Sequence, residues 1–545
     1  MRSEYGRRAV SGPLRRLRTD PDRWLVLATT LAWAGLLVVF SVLTPVWRSP
    51  DETNHFDLVL DVADGRGYAS WDDDVLSDGV LEASAPVRTA PPRVPVASGA
   101  QPPALPPVED SSVMSTTPNH MTQHPPVYYG LTGAELAVAQ ALGLAPASVS
   151  GQLAVTRVLS GALLVPVPAL AWLTASVLGT SRRARRFALL VPLAIPGLVQ
   201  VGSGLTNDVL SVLVFSALAA VLAAYAVGRR SPWIPVTAGV LCAAALLTKA
   251  FGAATVVWAL LVVLASWRSG EGRRVGRDAG IVGGLAAVLG GWWYVRNLVQ
   301  EGRLLPSLEE ARFSSRSVLA DTPKSFDHWF DRFTPVAGRG FFGLFGYADV
   351  AISDRVYRVL LALVLVGVVA GLATVWRSRC EVVLLVAPLP ILLVLQATQS
   401  YRLYETSGVV ALGHGRYLLP AIVPCAVLLA IGTDRLTRRA GRVAVAASLV
   451  LVVAVQLHAA SRLLEFFWSS DGGRTAWRVA TSWSPLPQAI SVASLVLAAS
   501  MLAVMMVLLV REPAPSAPVA AGTGPPPPAV PTGAPGPPVG VPDSS

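Results

Sequence analysis

Long apolar runs are the feature that most constrains this chain. They recur from Trp24 to Val510, and many exceed the roughly 18 residues that mark a transmembrane helix. Charged residues make up only 14% of the 545 residues, against roughly 25% in a soluble domain. The sequence therefore predicts an all-α polytopic membrane protein and excludes an ordinary soluble enzyme.

The apolar runs predict about twelve transmembrane helices. The first extends from Trp24 to about Val46, and the others lie near 153–178, 187–205, 208–227, 232–248, 251–267, 279–295, 356–376, 380–398, 417–432, 441–461 and 488–510. We interpret a further apolar stretch at 127–146 as an interfacial helix on the outer face, because counting it as a span would reverse the sidedness of the later loops.

Arginine clusters set the predicted orientation. They occupy alternate loops, on the same side as the basic N-terminus: Arg182–Arg186, Arg229–Arg230, Arg268–Arg277, Arg377–Arg379 and Arg435–Arg442. Basic residues accumulate in cytoplasmic loops, so this side and both termini are predicted to be cytoplasmic. The net charge of +10 follows from this topology and does not indicate a nucleic-acid partner.

The chain divides into three parts on this interpretation. Residues 1–23 form a basic cytoplasmic N-terminus, and residues 24–511 form a transmembrane domain with long outer loops at 47–152 and 298–355. The Pro-rich segment 512–545 has no apolar periodicity and is predicted to be a disordered cytoplasmic tail. All cysteines lie in apolar runs, so neither a disulfide framework nor a cysteine zinc site is expected.

The strongest local motif is TPVWRSPDETNHFD, directly after the first span. Pro50 ends the helix just before Asp51 and Glu52. A carboxylate at a membrane boundary is partly desolvated, which raises its pKa and makes it a better base. The motif therefore indicates Asp51 and Glu52 as candidate bases that activate an acceptor hydroxyl, with His55 as a substrate contact. The alternative is a solvated acidic loop.

A second motif, NHMTQHPPVYYG at 119–130, places His124 and Tyr128 beside two prolines. Both are candidate substrate-binding residues, since tyrosine suits a sugar-stacking surface as well as a membrane interface. The alternative is a plain interfacial anchor. Together with Asp51, the histidines His55, His120 and His124 also leave a divalent metal open, although their spacing matches no metal motif.

Polar residues also interrupt the predicted outer ends of later spans. Asn207 and Asp208 lie in VGSGLTNDVL, and Lys249, one of two lysines in the chain, lies in LLTKAFGAA. Ionisable groups at such positions are costly and usually have a partner or a task. We interpret all three as substrate-binding candidates, with Lys249 holding an anionic head group. The alternative is a snorkelling lysine with Asp208 as its structural partner.

Two arginines lie on the outer face, where the positive-inside rule disfavours them. Arg296 lies in GGWWYVRN and Arg416 in GHGRYLLPAIVP. An arginine beside aromatic residues suits bidentate phosphate binding, and the alternative is an interfacial anchor. On one face, such cations would stabilise a leaving phosphate while a carboxylate takes the acceptor proton.

In their order along the chain, PDE-x-x-HF, His-Pro-Pro-x-Tyr-Tyr, LTK, GWWYxRN and GRYLLP resemble a family of predicted bacterial membrane proteins in the GT-C glycosyltransferase superfamily. That superfamily includes protein O-mannosyltransferases and the transferases that put aminoarabinose on lipid A. The likeness covers residues 24–461 and extends towards residue 510. Two features depart from the family pattern, namely Thr53-Asn54 after PDE and a Pro-rich insert in the first outer loop.

The resemblance implies a GT-C-like, inverting enzyme that uses a polyprenyl-phosphate-linked sugar on the outer face of the cell membrane. An acidic residue in the first outer loop acts as base in such enzymes, and Asp51 matches that position. By position, Lys249, Arg296 and Arg416 would contact the donor phosphate. The acceptor would be an envelope glycan, lipid or protein.

Two other classes stay open at this point. Twelve spans suit a lipid-linked-sugar flippase or other transporter equally well. A transporter, however, should place charged groups near the bilayer midplane and have two structurally related halves. Here the polar groups cluster at one face and the halves are dissimilar. The third class is a structural or assembly protein that docks partners through its acidic loop and Pro-rich tail.

Overall fold

A computed structural model of the chain describes residues 20–68, 75–88, 114–267, 271–305, 324–468 and 473–511. Its α-helices are α1 (Arg23–Leu43), α2 (Glu52–Ala63), α3 (Asp78–Arg88), α4 (Val127–Ala141), α5 (Val149–Ala162), α6 (Val167–Val177), α7 (Arg182–Leu190), α8 (Pro196–Ser203), α9 (Asp208–Ala226), α10 (Trp233–Leu246), α11 (Ala253–Ala265), α12 (Gly272–Gly290), α13 (Trp292–Glu301), α14 (Phe326–Phe342), α15 (Asp354–Val375), α16 (Arg379–Val386), α17 (Pro388–Ser407), α18 (Ile422–Leu436), α19 (Gly441–Leu463), α20 (Gly473–Trp483) and α21 (Gln488–Val510). The predicted tail 512–545 and most of the basic N-terminus lie outside the described residues.

The strands of the described residues form two small antiparallel sheets. In the first, β1 (Val75–Ser77) pairs with β2 (Met114–Pro118). In the second, β3 (Leu344–Phe345) pairs with β4 (Val350–Ala351), with Leu344 opposite Ala351. The rest of the described fold is helices and their connections, so the predicted all-α class is confirmed.

Seven helices within the described residues are long and apolar enough to cross a membrane, and the number rises to nine if two bent pairs each count as one span. One pair is Arg182–Ala194 with α8, bent by 58°, and the other is α16 with α17, bent by 42°. The polytopic architecture is confirmed, whereas the predicted count of twelve spans is not.

Three predicted spans account for the difference. α10 and α11 contain 14 and 13 residues, so at about 1.5 Å per residue they rise only about 20 Å, short of a hydrocarbon core of about 30 Å. The first two turns of α12 carry four charged residues, namely Arg273, Arg274, Arg277 and Asp278. Apolar runs in a sequence do not distinguish such short or partly charged helices from full spans.

Ion pairs hold the helices together at one end of the bundle. Asp22, just before α1, lies 2.6 Å from Nη2 of Arg186, and Asp434, near the end of α18, lies 2.7 Å from Nη2 of Arg183. We call this the basic end, and its arginines are Arg182–Arg186 and Arg435–Arg439. Because α1 rises about 30 Å from this end, the residues that follow α1 lie at the opposite end.

Close packing at glycines fixes the elements at that opposite end. Gly133 of α4 lies so close to Val62 of α2 that an added Cβ would lie 2.6 Å from the valine side chain. α4 occupies the stretch predicted as an interfacial helix, and it is not among the spans counted above. The 3₁₀ helix Gly415–Ala421 packs directly on the backbone of α14, where a Cβ at Gly415 would clash with the carbonyl of Ala337.

Candidate active site

A solvent-open cleft of about 730 Å³ lies at the end of the bundle opposite the basic end. The predicted site residues that line it are Asp51, His55, His124, Asn207, Lys249 and Arg416. They come from the turn after α1, from α2, from the loops before α4 and α9, from the link between α10 and α11, and from the 3₁₀ helix before α18. The fold therefore brings together six of the ten predicted site residues, although they are far apart in the chain. We call this space the site cleft.

Asp51 stands at the turn into α2. Its backbone is left-handed, with φ 60° and ψ 13°, a conformation that a short polar side chain tolerates better than a bulky one. Its side chain is 27% exposed, its Oδ2 accepts a hydrogen bond from Nη2 of Arg416 at 2.8 Å, and its Oδ1 lies 3.7 Å from Nε2 of His120.

Burial alone would raise the pKa of the Asp51 carboxyl. The contact with His120 and the charge of Arg416 outweigh burial and hold the pKa of Asp51 well below its ordinary value. The raised pKa that its membrane-boundary position predicts is therefore wrong in direction, because the cation that pairs with it comes from a distant part of the chain. Asp51 is ionised throughout the physiological range.

Arg416 links Asp51 to a second, buried carboxylate. Its Nε lies 3.5 Å from Oδ2 of Asp208, whose Oδ1 accepts a hydrogen bond from Nζ of Lys249 at 2.6 Å. The ring of Tyr417 faces both cations, 4.4 Å from Nζ of Lys249 and 5.2 Å from Cζ of Arg416. Two cations and two carboxylates thus form one balanced cluster. The predicted Lys249–Asp208 pair is present, and Lys249 also lines the site cleft.

His414 holds Arg416 in place and was not among the predicted site residues. Its Nδ1 accepts the backbone N–H of Arg416 at 3.1 Å, and its Nε2 lies 3.2 Å from the carbonyl oxygen of Leu344. Nε2 therefore carries the proton and the ring is neutral. Burial lowers the pKa of His414 to about 4, which keeps it neutral at physiological pH.

Two neutral imidazoles form one wall of the site cleft. The rings of His55 and His124 stack with centroids 6.4 Å apart and 9° between their planes. Nδ1 of His55 lies 2.9 Å from the hydroxyl of Tyr129. Burial lowers the pKa of His55 to about 3 and holds that of His124 well below its ordinary value. Tyr128 lies behind this wall, fully buried, with its hydroxyl 2.9 Å from Oγ of Ser160.

Glu52 points away from the site cleft and is fully buried. Its carboxylate pairs with Arg157 of α5 at 2.5 Å and accepts the backbone N–H groups of Trp47 at 2.9 Å and Leu205 at 3.1 Å. Arg157 also donates to the carbonyl oxygens of Ser41, Thr44 and Pro45. This buried pair ties the end of α1 and the turn that carries Asp51 to the loop before α9.

Arg296 lies on α13, outside the residues that line the site cleft. Its guanidinium stacks over the ring of Trp293, with 4.7 Å from Cζ to the ring centroid. Trp293 packs against Tyr68 at 5.7 Å, and the hydroxyl of Tyr68 donates to the carbonyl of His124 at 2.6 Å. Arg296 thus contacts the site cleft indirectly, through Trp293 and Tyr68 and through Asn297, to whose Oδ1 it donates at 3.3 Å.

Asn207 presents an unpaired acceptor to the site cleft. Its Nδ2 lies 3.5 Å from the carbonyl of Thr248, while its buried Oδ1 has no hydrogen-bond partner within the described ranges. A buried acceptor of this kind is expected to meet a ligand or water donor.

Four further polar or aromatic side chains of the lining were not predicted: Gln123, Phe251, Gln399 and Tyr417. Tyr417 follows Arg416 in the GRYLLP motif, whereas Gln399 lies just after the apolar run 380–398, in the polar stretch QATQSYRLYE.

The described residues do not fit a metal ion. Across the described ranges, no group of three or more His, Cys, Asp or Glu side chains is placed to hold one. The carboxylates of Asp51 and Asp208 already contact cations, and the imidazoles of His55 and His124 stack instead of converging. The divalent metal that the sequence leaves open has no ligand set here.

The fold and this cleft define a polytopic membrane protein with an ion-paired cleft at one end of its helical bundle. Residues 35–425 match the family model described as "Predicted membrane protein (DUF2142)". The chain belongs to this family, and the matched range includes all ten predicted site residues. No curated protein gives a significant match.

Several solved structures are similar to this chain. ArnT from Cupriavidus metallidurans in the apo state is 17% identical, with a TM-score of 0.46, over 90% of this chain and 74% of that protein. The same protein bound to undecaprenyl phosphate has a TM-score of 0.37. The Archaeoglobus fulgidus oligosaccharyltransferase tethered with an acceptor peptide is 13% identical, with a TM-score of 0.44, over 85% of this chain and 57% of that one.

Proposed function

We propose that the chain is a membrane glycosyltransferase of the GT-C type. It transfers a sugar from a polyprenyl-phosphate-linked donor to an envelope glycan, lipid or protein on the outer face of the cell membrane. One observation carries the proposal: the partly exposed carboxylate of Asp51 lies 2.8 Å from Arg416, in a cleft that Lys249 also lines. A base and two cations thus meet in a space open to substrates.

The cations receive the donor phosphate. Arg416 and Lys249 are balanced by Asp51 and Asp208 in the free protein. A donor phosphodiester competes with these carboxylates for the two cations, and negative charge grows on it as its bond to the sugar breaks. Cations held at that position stabilise the transition state more than the ground state.

Asp51 receives the acceptor proton. The acceptor hydroxyl oxygen attacks the anomeric carbon, the carbon–oxygen bond to the phosphate breaks, and the hydroxyl proton passes to the Asp51 carboxylate. Against burial, which raises it, the contact with His120 and the charge of Arg416 together hold the pKa of Asp51 low in the free protein. A phosphate that takes over Arg416 weakens this effect, so donor binding restores the basicity of Asp51. A single displacement of this kind inverts the anomeric centre.

The neutral groups around the cluster suit a sugar. The imidazole edges of His55 and His124 and the unpaired Oδ1 of Asn207 offer hydrogen bonds to hydroxyl groups without adding charge. Glu52 has its carboxylate engaged by Arg157 and two backbone amides. We therefore propose that Glu52 positions the turn of Asp51 and takes no proton itself.

The outer location rests on the two ends of the bundle. The arginines of the basic end lie about 30 Å from the turn after α1, by the length of that helix. Basic residues accumulate on the cytoplasmic side. The site cleft, at the other end, would then face the side where envelope acceptors are assembled.

A deletion strain tests this function against that of a flippase. The envelope sugars and the lipid-linked precursors of the deletion strain are compared with those of the wild type. A transferase predicts the loss of one envelope sugar, with its lipid-linked precursor reaching the outer leaflet. Precursor confined to the inner leaflet would identify a flippase, and an unchanged envelope with unchanged precursors would contradict both.

A further inference from the structure

An apolar groove of about 1200 Å³, which shares no lining residue with the site cleft, opens between α15, α18 and α19. Small residues open it, with Gly367 on α15 and Ala444 and Ala447 on α19. Large apolar side chains beside it are exposed, among them Val366 and Val450. This surface therefore faces the hydrocarbon of the membrane. The groove has few polar groups that could hydrogen-bond a water molecule.

Along α19 the groove covers about the depth of one membrane leaflet, and its lining continues to Leu360 of α15 and Phe342 of α14. On α19 it extends from Ala444 to Val452, which is about 12 Å along the helix axis at about 1.5 Å per residue. One leaflet contributes about half of a hydrocarbon core of about 30 Å. The groove starts at the basic end, where Leu436 and Thr437 line it.

A pocket lined by arginines continues the groove at the basic end. It has a volume of about 970 Å³, and Leu436 lines both spaces. Its other lining residues are Thr374, Arg435, Arg438 and Arg439. The positive-inside rule accounts for arginines on this side, but not for their arrangement as a concave pocket joined to an apolar groove.

The arginine charges of this pocket, at Arg435, Arg438 and Arg439, have no carboxylate partner in the described part of the chain. The adjacent Asp434 is already paired with Arg183 at 2.7 Å. The pocket therefore presents an uncompensated positive charge at the mouth of a hydrocarbon groove.

We propose that the groove and the arginine pocket together bind one anionic phospholipid of the cytoplasmic leaflet. Its phosphate lies at Arg435, Arg438 and Arg439, and one acyl chain fills the groove beside α19. Guanidinium groups pair with phosphate oxygens through two parallel hydrogen bonds, and basic pockets between membrane helices select anionic head groups. This site is separate from the site cleft and does not depend on the proposed reaction.

Lipid-dependent thermal stability tests the proposal. The full chain is purified in detergent, stripped of lipid and titrated with phosphatidylglycerol or with phosphatidylcholine of the same acyl chains. We expect phosphatidylglycerol to raise the Tm in a concentration-dependent way, since a ligand that binds the folded state stabilises it by mass action. Equal shifts with the two lipids would overturn the charge selection. If inorganic phosphate alone produced the same Tm shift, the proposal that the ligand is a phospholipid would be overturned.

Matched variants locate the site. The double variant Arg438→Gln with Arg439→Gln removes head-group charge, and Ala447→Phe fills the groove. Both should lose most of the Tm shift that phosphatidylglycerol produces. The controls are Arg273→Gln, an exposed arginine on α12, and Val450→Phe, an exposed residue of α19 outside the lining. Both should keep the shift. The comparison uses the lipid-induced Tm shift of each variant, so a changed starting Tm does not obscure the result. If the arginine double variant and Ala447→Phe both kept the full shift, the site would be refuted.

Discussion

Nη2 of Arg416 lies 2.8 Å from Oδ2 of Asp51, although 365 positions separate the two residues in the chain. The pair joins the turn after α1 to the 3₁₀ helix before α18. It couples the proposed base to the proposed phosphate ligand, because whatever takes the arginine also changes the pKa of the carboxyl. The predictions below separate this cluster from the groups that support it.

Arg416→Lys should lower the transfer rate by about 10²-fold, the typical loss when one preorganised donor of a transition-state site is removed. Lysine keeps the charge but lacks the planar fork that reaches Asp51 and Asp208 together. The assay is release of polyprenyl phosphate by the purified chain in proteoliposomes that contain lipid-linked sugars and are supplied with a cell-envelope extract as the source of acceptor. Arg462→Lys is the control, since Arg462 pairs with Glu465 at 2.9 Å and lies away from the site cleft. Equal rates for the two variants would speak against a role for Arg416.

Lys249→Ala should raise the KM for the lipid-linked donor more than Arg303→Ala, an exposed arginine, does. Lys249 lines the site cleft, and its ammonium already faces the ring of Tyr417. Arg296→Ala should have a smaller effect than Lys249→Ala, because Arg296 does not line the cleft. Steady-state kinetics on the same proteoliposomes give the three values. Identical values for all three would leave Lys249 and Arg296 as interfacial anchors.

Glu52→Gln should reduce the free energy of unfolding by about 3–5 kcal/mol, the usual cost of breaking a buried ion pair, because it leaves Arg157 buried and charged. Denaturation of the purified protein in detergent measures this loss. The control is Glu465→Gln, whose carboxylate side chain is 70% exposed and contributes little. A stable but inactive Glu52→Gln protein would instead support a direct catalytic role for Glu52.

Asp57 should make stability depend on pH. Burial raises the pKa of this carboxyl to about 6, so the folded state binds its proton more tightly than the unfolded state does. Stability from this group is fully present below the unfolded pKa near 4 and is lost as pH rises through about 6. From pH 4 to pH 7, Asp57→Asn should therefore gain about 3 kcal/mol relative to the wild type. Parallel Tm curves for the two proteins would contradict the raised pKa.

Local motifs pointed to six of the residues that line the site cleft, and missed others such as Gln123 and Gln399. Lys249 and Arg416 each stand out against an apolar background, where an ionisable side chain is costly, and Asp51 stands out by its place directly after the first span. The pair between Lys249 and Asp208 also follows, because few other charges are near in the sequence. The Asp51–Arg416 contact does not follow, and without it the direction of the Asp51 pKa was predicted wrongly.

The buried ion pair that holds the turn of Asp51 in place was harder to predict. Arg157 lies within an apolar run and carries the same signal of an isolated charge that Lys249 carries, yet its partner Glu52 was assigned to catalysis instead. Whether a carboxylate faces a cleft or a buried arginine depends on the rotation of α2, which no motif encodes. The predicted number of spans was too high for a related reason, since a hydropathy pattern does not report where α10 and α11 end.

The most direct test of the central claim is the Asp51→Asn variant in proteoliposomes that contain polyprenyl-phosphate-linked sugars and are supplied with a cell-envelope extract as the source of acceptor. Asparagine keeps the size of the side chain but accepts no proton, so release of polyprenyl phosphate should fall by about 10²–10⁴-fold while the variant still folds and inserts. Asp64→Asn, at the end of α2 and paired with Arg66 at 3.1 Å, should retain full activity. Near-normal release by Asp51→Asn would contradict the assignment of Asp51 as the base.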